Sequence, residues 1–527
     1  MTGAVTSDHE NHRANRVLLG LALAYFLLAW IPSFAGTAGY FIDETYFIAC
    51  SERLAFGYVD QPPLSILLLR LVRASIGDSL PALRLVPSVA GAAVVFLTGF
   101  IARRLGADTF GQALAAGTAM LAPVYHVLFG YYSMNALSVL LWAVCFWLLV
   151  EIERRDEPRL WLGIGAVAGL GLENKHTIVL LALGLAVGLL LTPARRHLAS
   201  RWLWLGLGIA ALVALPNLLW QLAHGWPSLA FYRNADAYKN VPTAPLEVLA
   251  QQLLAANPAA LPVWLAGLGF FLATERGRPY RHLGWIYVAL LVLLLVGQKS
   301  RPDRIAAAYT VLFAGGGAGI CDWLRRPGMR WLRPAQVAVL LLCGAALAPL
   351  SMPLLPPRLT ARYAAALGVV PQIERGEDKR SLLPQWLADR YGWPALVDDV
   401  ERVVRMLEPA ERSHAIILAA SYGHAGPIEL LGRGRNLPPV YSPHNSYFLW
   451  GPPPDPVDVA VVIGFGEPGA TGVIPEEPLA SLFAEIELAR VHDCEWCMRW
   501  RDGMPIWIAR GPTSSFREAW PDLMHFQ

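Results

Sequence analysis

Ionisable side chains are sparse in the apolar parts of this chain, and those present are grouped. Phe41-Ile42-Asp43-Glu44-Thr45-Tyr46-Phe47 places two adjacent carboxylates among aromatic residues, just after a long apolar run. Such groups are costly to desolvate unless they pair or do chemistry. Neighbouring residues point to different sides, so Asp43 and Glu44 need not share one role. Gly57-Tyr58-Val59-Asp60-Gln61-Pro62-Pro63 follows, with paired prolines that fix an extended turn and hold Asp60 in a defined place. Basic residues gather at other turns: Arg84, Lys175 within Glu173-Asn174-Lys175-His176, and Lys299, Arg301 and Arg304 around Asp303. A carboxylate can accept the proton of an attacking hydroxyl while cations or a metal neutralise a departing phosphate. Plainer readings stand beside this one. They are a helix cap at Asp43, a loop acid at Asp60, snorkelling toward headgroups for each cation, and an interhelical hydrogen bond for Asn135.

The elements that must position these residues are membrane helices. Of 527 residues, 55% are hydrophobic and only 16% charged. The apolar residues concentrate between 17 and 355, in runs long enough for a hydrocarbon core of about 30 Å. Helices are expected near 17–34, 84–102, 109–128, 132–150, 160–173, 177–192, 203–221, 259–273, 284–297, 304–320 and 335–352, about 11 spans in all. The first is read as retained, because its apolar run passes signal-peptide length without a small-residue cleavage site. Alternate connections are short and rich in Arg, among them Arg103-Arg104, Arg154-Arg155, Arg195-Arg196, Arg276 with Arg278, and Arg330 with Arg333. The positive-inside rule makes these cytoplasmic. The N-terminus is then inside, and the acids, Lys175, Lys299 and Arg301 lie at the outer face. Two outer loops are long, 35–83 and 222–258, and contain amphipathic stretches suited to the interface. A net charge of +3 gives no argument for nucleic acid.

The residues resemble a known family. Asp43-Glu44 after the first span, Gly57-Tyr58-x-Asp60-x-Pro62-Pro63, and Arg84-Leu85 entering the second span resemble the GT-C type membrane glycosyltransferases. The nearest branch is the bacterial one that includes protein mannosyltransferases and the aminoarabinose lipid A transferase. Tyr132-Ser133-Met134-Asn135, Gly171-x-x-x-Lys175-His176, Leu437-Pro438-Pro439, His444-Asn445-Ser446-Tyr447 and Trp450-Gly451-Pro452 are similar to other bacterial members. The resemblance implies an inverting glycosyltransferase in the bacterial inner membrane. It would move a sugar from a polyprenyl-phosphate donor to an acceptor hydroxyl or phosphate on a glycolipid, wall polymer or protein. Asp43, with Glu44, would be the catalytic acid pair and Asp43 the base. Lys175, Arg84, Lys299 and Arg301 would bind the donor phosphate, with His176 and Asn135 as further candidates. In the lipid A branch a lysine stands before the paired prolines and the preceding acid helps hold a metal. Here Gln61 replaces that lysine, and Asp60 is the candidate ligand if a divalent metal is used. No equivalent of that branch's second-loop histidine is evident; His224 lies early in the loop. The rival reading is a transporter or flippase, against which stand the odd span count, the absence of an internal repeat and acids at the interface rather than the midplane.

Residues 356–527 alternate strand-like runs (415–420, 457–463, 506–509) with helical ones (396–407, 479–489), which predicts an α/β domain outside the membrane. Its aromatic and Pro-rich stretch 437–454 could contact acceptor, with an accessory stabilising domain as the alternative; His424 and His444 are its residues to watch. Cys494-Glu495-Trp496-Cys497 is a lone CxxC, for which a zinc site would need further Cys or His ligands at compatible positions, and outside the cytoplasm it reads as a local disulfide.

Overall fold

The computed structural model of the chain describes residues 2–36, 38–240, 242–297, 301–324, 326–368, 381–465 and 479–527; Lys299 lies outside them. The backbone forms two compact units. The first holds residues 1–35, 81–219 and 242–354, and the second holds 36–80, 220–241 and 355–527. The second unit thus gathers most of the first long loop and part of the second with the C-terminal region.

The first unit is helical. Among the described residues seven helices are long and apolar enough to cross a membrane, or up to nine if each of two sharply bent pairs is one span. His12–Phe34, Leu80–Arg104, Met134–Arg155, Arg201–Ala223 and Leu332–Ser351 are among the seven. The departures from a simple set of straight spans have local causes. The expected helix over 109–128 stops at Met120 and restarts as Pro123–Leu128, because Pro123 has no N–H for the preceding turn and its ring crowds that turn's carbonyl. Leu160–Leu172 has 13 residues, about 20 Å of helix, which falls short of the hydrocarbon thickness. Ile178–Leu190 turns by 110° into Pro193–Ala199, and Pro245–Ala256 by 90° into Pro258–Ala273. The helix expected at 304–320 opens as the tighter turn Pro302–Ala308 and continues as Tyr309–Leu324.

Small residues let these helices touch backbone to backbone. A Cβ built on Gly111 would stand 2.4 Å from the Gly317 carbonyl oxygen, and one on Gly317 would stand 2.3 Å from that of Gly111. The contact joins helices Thr109–Met120 and Tyr309–Leu324. Around it lies a continuous apolar core that includes Leu114, Ala115, Trp142, Phe146, Phe271, Leu312 and Phe313.

The second unit carries a mixed sheet of five strands among its described residues: β1 (Ala415–Ala419), β2 (Val440–Tyr441), β3 (Val459–Ile463), β4 (Phe483–His492) and β5 (Met504–Pro512). Their order is β2-β1-β3-β5-β4, with β2, β1 and β3 parallel and β5 and β4 antiparallel. β1 and β3 are buried along their whole length, as expected for all-apolar strands covered on both faces. Helix Trp393–Met406 covers one face through Trp393, Leu396, Val397, Val400, Val403 and Val404. The helix expected over 479–489 is corrected: only Leu479–Leu482 is helical, and the chain continues as β4. Ala, Glu and Leu there favour a helix locally, but Ile486 and Leu488 alternate with Glu485 and Glu487. Pairing Ile486 with Ala509 and Leu488 with Trp507 satisfies that period of two. The unit also contains helices Ile42–Glu52 and Leu64–Ser75, at the amphipathic stretches expected in the first loop.

The reciprocal glycine contact gives a stability test. Gly317→Leu should destabilise the protein by about 1–3 kcal/mol through overpacking, seen as a lowered melting temperature in detergent. Gly117→Ala, where an added Cβ meets nothing within 4 Å, should leave it unchanged or slightly raised.

Candidate functional site

In the second unit the acids of the first loop are held by the C-terminal region. Helix Ile42–Glu52 begins at Phe41, whose extended backbone ends the preceding segment. Glu44, fully buried, folds back so that its carboxylate accepts the Phe41 N–H at 2.8 Å. A glutamate at the third helical position serves as a cap in this way. Asp43 is half-buried, and the Tyr422 hydroxyl donates to its Oδ1 at 3.1 Å. Asp60 is half-buried too, and accepts from the Tyr46 hydroxyl at 2.8 Å. The Ser446 N–H donates to the Tyr46 oxygen at 3.2 Å, and the Val59 N–H to Ser446 Oγ at 3.2 Å. Burial pushes the Tyr46 hydroxyl well above its ordinary pKa, and the Asp60 charge pushes it further, so it remains a donor.

Aromatic stacking ties these donors together. The Tyr46 and Tyr422 rings stack at 4.4 Å, and Tyr422 stacks on His444 at 5.1 Å. His444, one of the two histidines singled out in the C-terminal region, is therefore next to the acids. His424 packs edge-on against Trp500 instead.

A second electrostatic layer surrounds the same helix. Arg73 donates to Asp78 at 2.5 Å, to Glu52 at 2.7 Å and to Ser51 Oγ at 2.6 Å, and Arg433 pairs with both acids. Burial works to raise the Glu52 pKa, but the hydrogen bonds from Arg73 and Arg433 outweigh it and hold the carboxyl below its ordinary value. Arg53 donates to Glu429 at 2.5 Å and lies over the Trp450 ring at 4.4 Å, while the Tyr447 hydroxyl donates to Glu429 at 2.6 Å. Gln61, which takes the place of a lysine in the resemblance, is buried with its amide 3.9 Å from Cys50 Sγ. A divalent ion seeks several carboxylates or imidazoles. Asp60 is bonded to a tyrosine hydroxyl, and among the described residues no three His, Cys, Asp or Glu side chains gather. This donor set does not fit a metal.

In the first unit Lys175 occupies the turn between helices Leu160–Leu172 and Ile178–Leu190. Its Nζ donates to Asn135 Oδ1 at 2.6 Å, and the adjacent Asn174 side chain donates to the Met134 carbonyl at 2.8 Å. Both bonds reach the N-terminal turn of Met134–Arg155, which Ser133 caps. Burial lowers the Lys175 pKa to about 8, with Asp303 opposing and Arg301 and Arg304 reinforcing the shift. Arg301 pairs with Asp303 at 3.1 Å. Among the described residues, Lys175, Arg301 and Arg304 thus share one neighbourhood with Asp303, and cations so gathered suit a phosphate. His176 turns to Asn217 instead, 3.1 Å away, and Arg84 is buried, 2% exposed, within Leu80–Arg104. Of the expected residues, the structure brings together Lys175, Asn135 and Arg301 in one unit, and places Asp43 and Asp60 on the stacked tyrosines of the other.

Three comparisons with known proteins bear on this geometry. A model of the family described as dolichyl-phosphate-mannose-protein mannosyltransferase matches residues 60–220, a stretch that starts at Asp60 and includes Arg84, Asn135 and Lys175. The chain is 24% identical over 291 residues to the lipid A galacturonosyltransferase RgtD of Rhizobium johnstonii. That match covers 54% of this chain and 60% of the relative's length. In fold, the chain is similar to ArnT from Cupriavidus metallidurans. The TM-score is 0.56 against the structure bound to undecaprenyl phosphate and 0.58 against the apo state. Each likeness has 13% identity and covers 93% of this chain and 97% of ArnT. The resemblance to GT-C type membrane glycosyltransferases holds, and the fold is the GT-C fold.

The Lys175 cluster predicts a pH dependence. The amine is charged below a pKa of about 8 and neutral above it, so attraction for an anion is full on the acid side and is lost as pH rises through that value. Binding of sulfate, an anion whose own charge does not change over this range, followed by calorimetry, should weaken roughly threefold to tenfold between about pH 7 and 9.5. Lys175→Arg should flatten the dependence, because a guanidinium stays charged throughout.

Proposed function

We propose that this chain, built on the GT-C fold, is an inverting glycosyltransferase that uses a polyprenyl-phosphate-linked sugar at the outer face of the bacterial inner membrane. The observation that carries the reading is the gathering of Lys175, Arg301 and Arg304 near a turn between apolar helices. Cations gathered at such a turn can meet a lipid-borne anion. The Arg-rich character of the alternate connections supports an outer position for it, with the N-terminus cytoplasmic and the sheet-bearing region outside.

In this reading Asp43 is the base. The acceptor hydroxyl passes its proton to the Asp43 carboxylate as its oxygen attacks the anomeric carbon. The bond from that carbon to the phosphate oxygen breaks on the opposite face, which inverts the centre. The departing polyprenyl phosphate takes the bonding electron pair and leaves as the phosphate anion. Glu44 shapes the helix start that presents Asp43, and no metal step is included. Because RgtD is named for galacturonosyl transfer to lipid A, a lipid A-type glycolipid is the first acceptor to try and galacturonic acid the first sugar.

Purified protein supplied with a radiolabelled polyprenyl-phosphate sugar and a glycolipid acceptor should form labelled product. Asp43→Asn should lower turnover about 100-fold or more, with its melting temperature unchanged. Lys175→Ala should raise the KM for donor by roughly tenfold. Transfer that survives Asp43→Asn would reject the base.

A further inference from the structure

We infer that Tyr422, held by the 442–446 segment, is a positioning residue for Asp43, so that the C-terminal region takes part in the reaction by setting the direction and charge of the first-loop carboxylate. The inference rests on the reading of Asp43 as the base.

The geometry begins with two glycines. Helix Tyr422–Leu431 lies against helix Ile42–Glu52 so closely that a Cβ on Gly426 would meet Thr45 Oγ1 at 2.7 Å, and one on Gly423 would meet Ile42 Cδ1 at 2.4 Å. With no side chain at either position, Tyr422 is brought over the first turn of the acid-bearing helix. Its hydroxyl donates to Asp43, and its ring is clamped between Tyr46 at 4.4 Å and His444 at 5.1 Å. The clamp is itself braced. The Tyr422 N–H donates to His444 Nδ1 at 3.3 Å, which places the proton of a neutral His444 on Nε2. His444 stacks on His525 at 5.2 Å, and the Asn445 N–H donates to the His525 carbonyl at 2.9 Å. Asn445 adopts a positive φ of 48° and bonds the Gln527 N–H through its side-chain oxygen at 3.0 Å.

A contact made only for docking needs no hydroxyl aimed at a carboxylate. Here two stacked phenols each donate to a different one, Tyr422 to Asp43 and Tyr46 to Asp60. A phenol donor favours the ionised carboxylate and fixes its rotamer. Among the described residues, titratable groups near this contact include Glu44 and Tyr46 on the helix of Asp43, Tyr422 on the facing helix, and His444 with His525 behind that ring. Among the described residues, those coupled to Asp60 include Tyr46, Cys50 and Tyr232.

Tyr422→Phe removes the donor and keeps the ring stack. Turnover should fall about tenfold while the KM for donor stays within about twofold. The acid limb of the pH–rate profile should move up by roughly half to one pH unit, because the carboxylate loses a bond to its charged form. Carbodiimide labelling of Asp43, read by mass spectrometry across roughly pH 4 to 8, should show the same displacement without any assay substrate. Unchanged turnover together with an unmoved acid limb and labelling midpoint would overturn the inference. Asp43→Asn separates the two levels. If it is inactive while Tyr422→Phe behaves as wild type, the base stands and the positioning role falls. If it retains transfer, the base itself falls.

Discussion

A carboxylate set beside apolar surface must have its charge answered by donors that the protein itself supplies, and much of the second unit is arranged by that need. Asp60 is answered by Tyr46, Asp43 by Tyr422, Glu44 by the backbone at Phe41, and Glu52 and Asp78 by two arginines. Each bond joins the first loop to itself or to the C-terminal region. Remove the acids and the aromatic stack loses its orienting partners; remove the donors and the acids lose hydrogen bonds that fix their direction. The first unit meets the complementary problem. Lys175 is drawn from solvent among other cations, and Asn135 and Asp303 offset that only in part.

Much of this could be read before any coordinates. The alternation of apolar runs with Arg-rich turns located the helices. Lys175, Asn135 and Arg301 were all picked out as candidates because ionisable or amide groups are conspicuous in apolar surroundings. What could not be read was the pairing. Asp43 and Tyr422 are 379 positions apart, and Tyr46 and Ser446 are 400 apart. No local period records such a partnership. The one available signal was a general one, that a buried tyrosine hydroxyl seeks an acceptor. Tyr46 is 1% exposed, and neither its burial nor its partner can be inferred from neighbouring residues.

The misread helix at 479–489 follows the same division between local and distant information. Its composition favours a helix, and only β5 alongside reveals that the alternation of Ile486 and Leu488 with glutamates is a strand period. The break before Pro123 was legible in principle, since proline acts within its own turn. Glu44 shows the limit of reading residue types: the same carboxylate suits a base or a helix cap, and only the 2.8 Å bond to Phe41 shows the cap.

The long separation between the first loop and its partners also sets an order of assembly. The helix that carries Asp43 is made early, but the tyrosine and serine that complete it come 379 to 400 residues later. At about 5–20 residues per second of synthesis, that is an interval of roughly 20 to 80 s in which the acids wait without those donors. A nascent chain stopped before residue 422 would carry the carboxylates and lack the hydroxyl that orients Asp43. The hydrogen-bond network around these carboxylates is therefore completed late, only once the C-terminal region has been made.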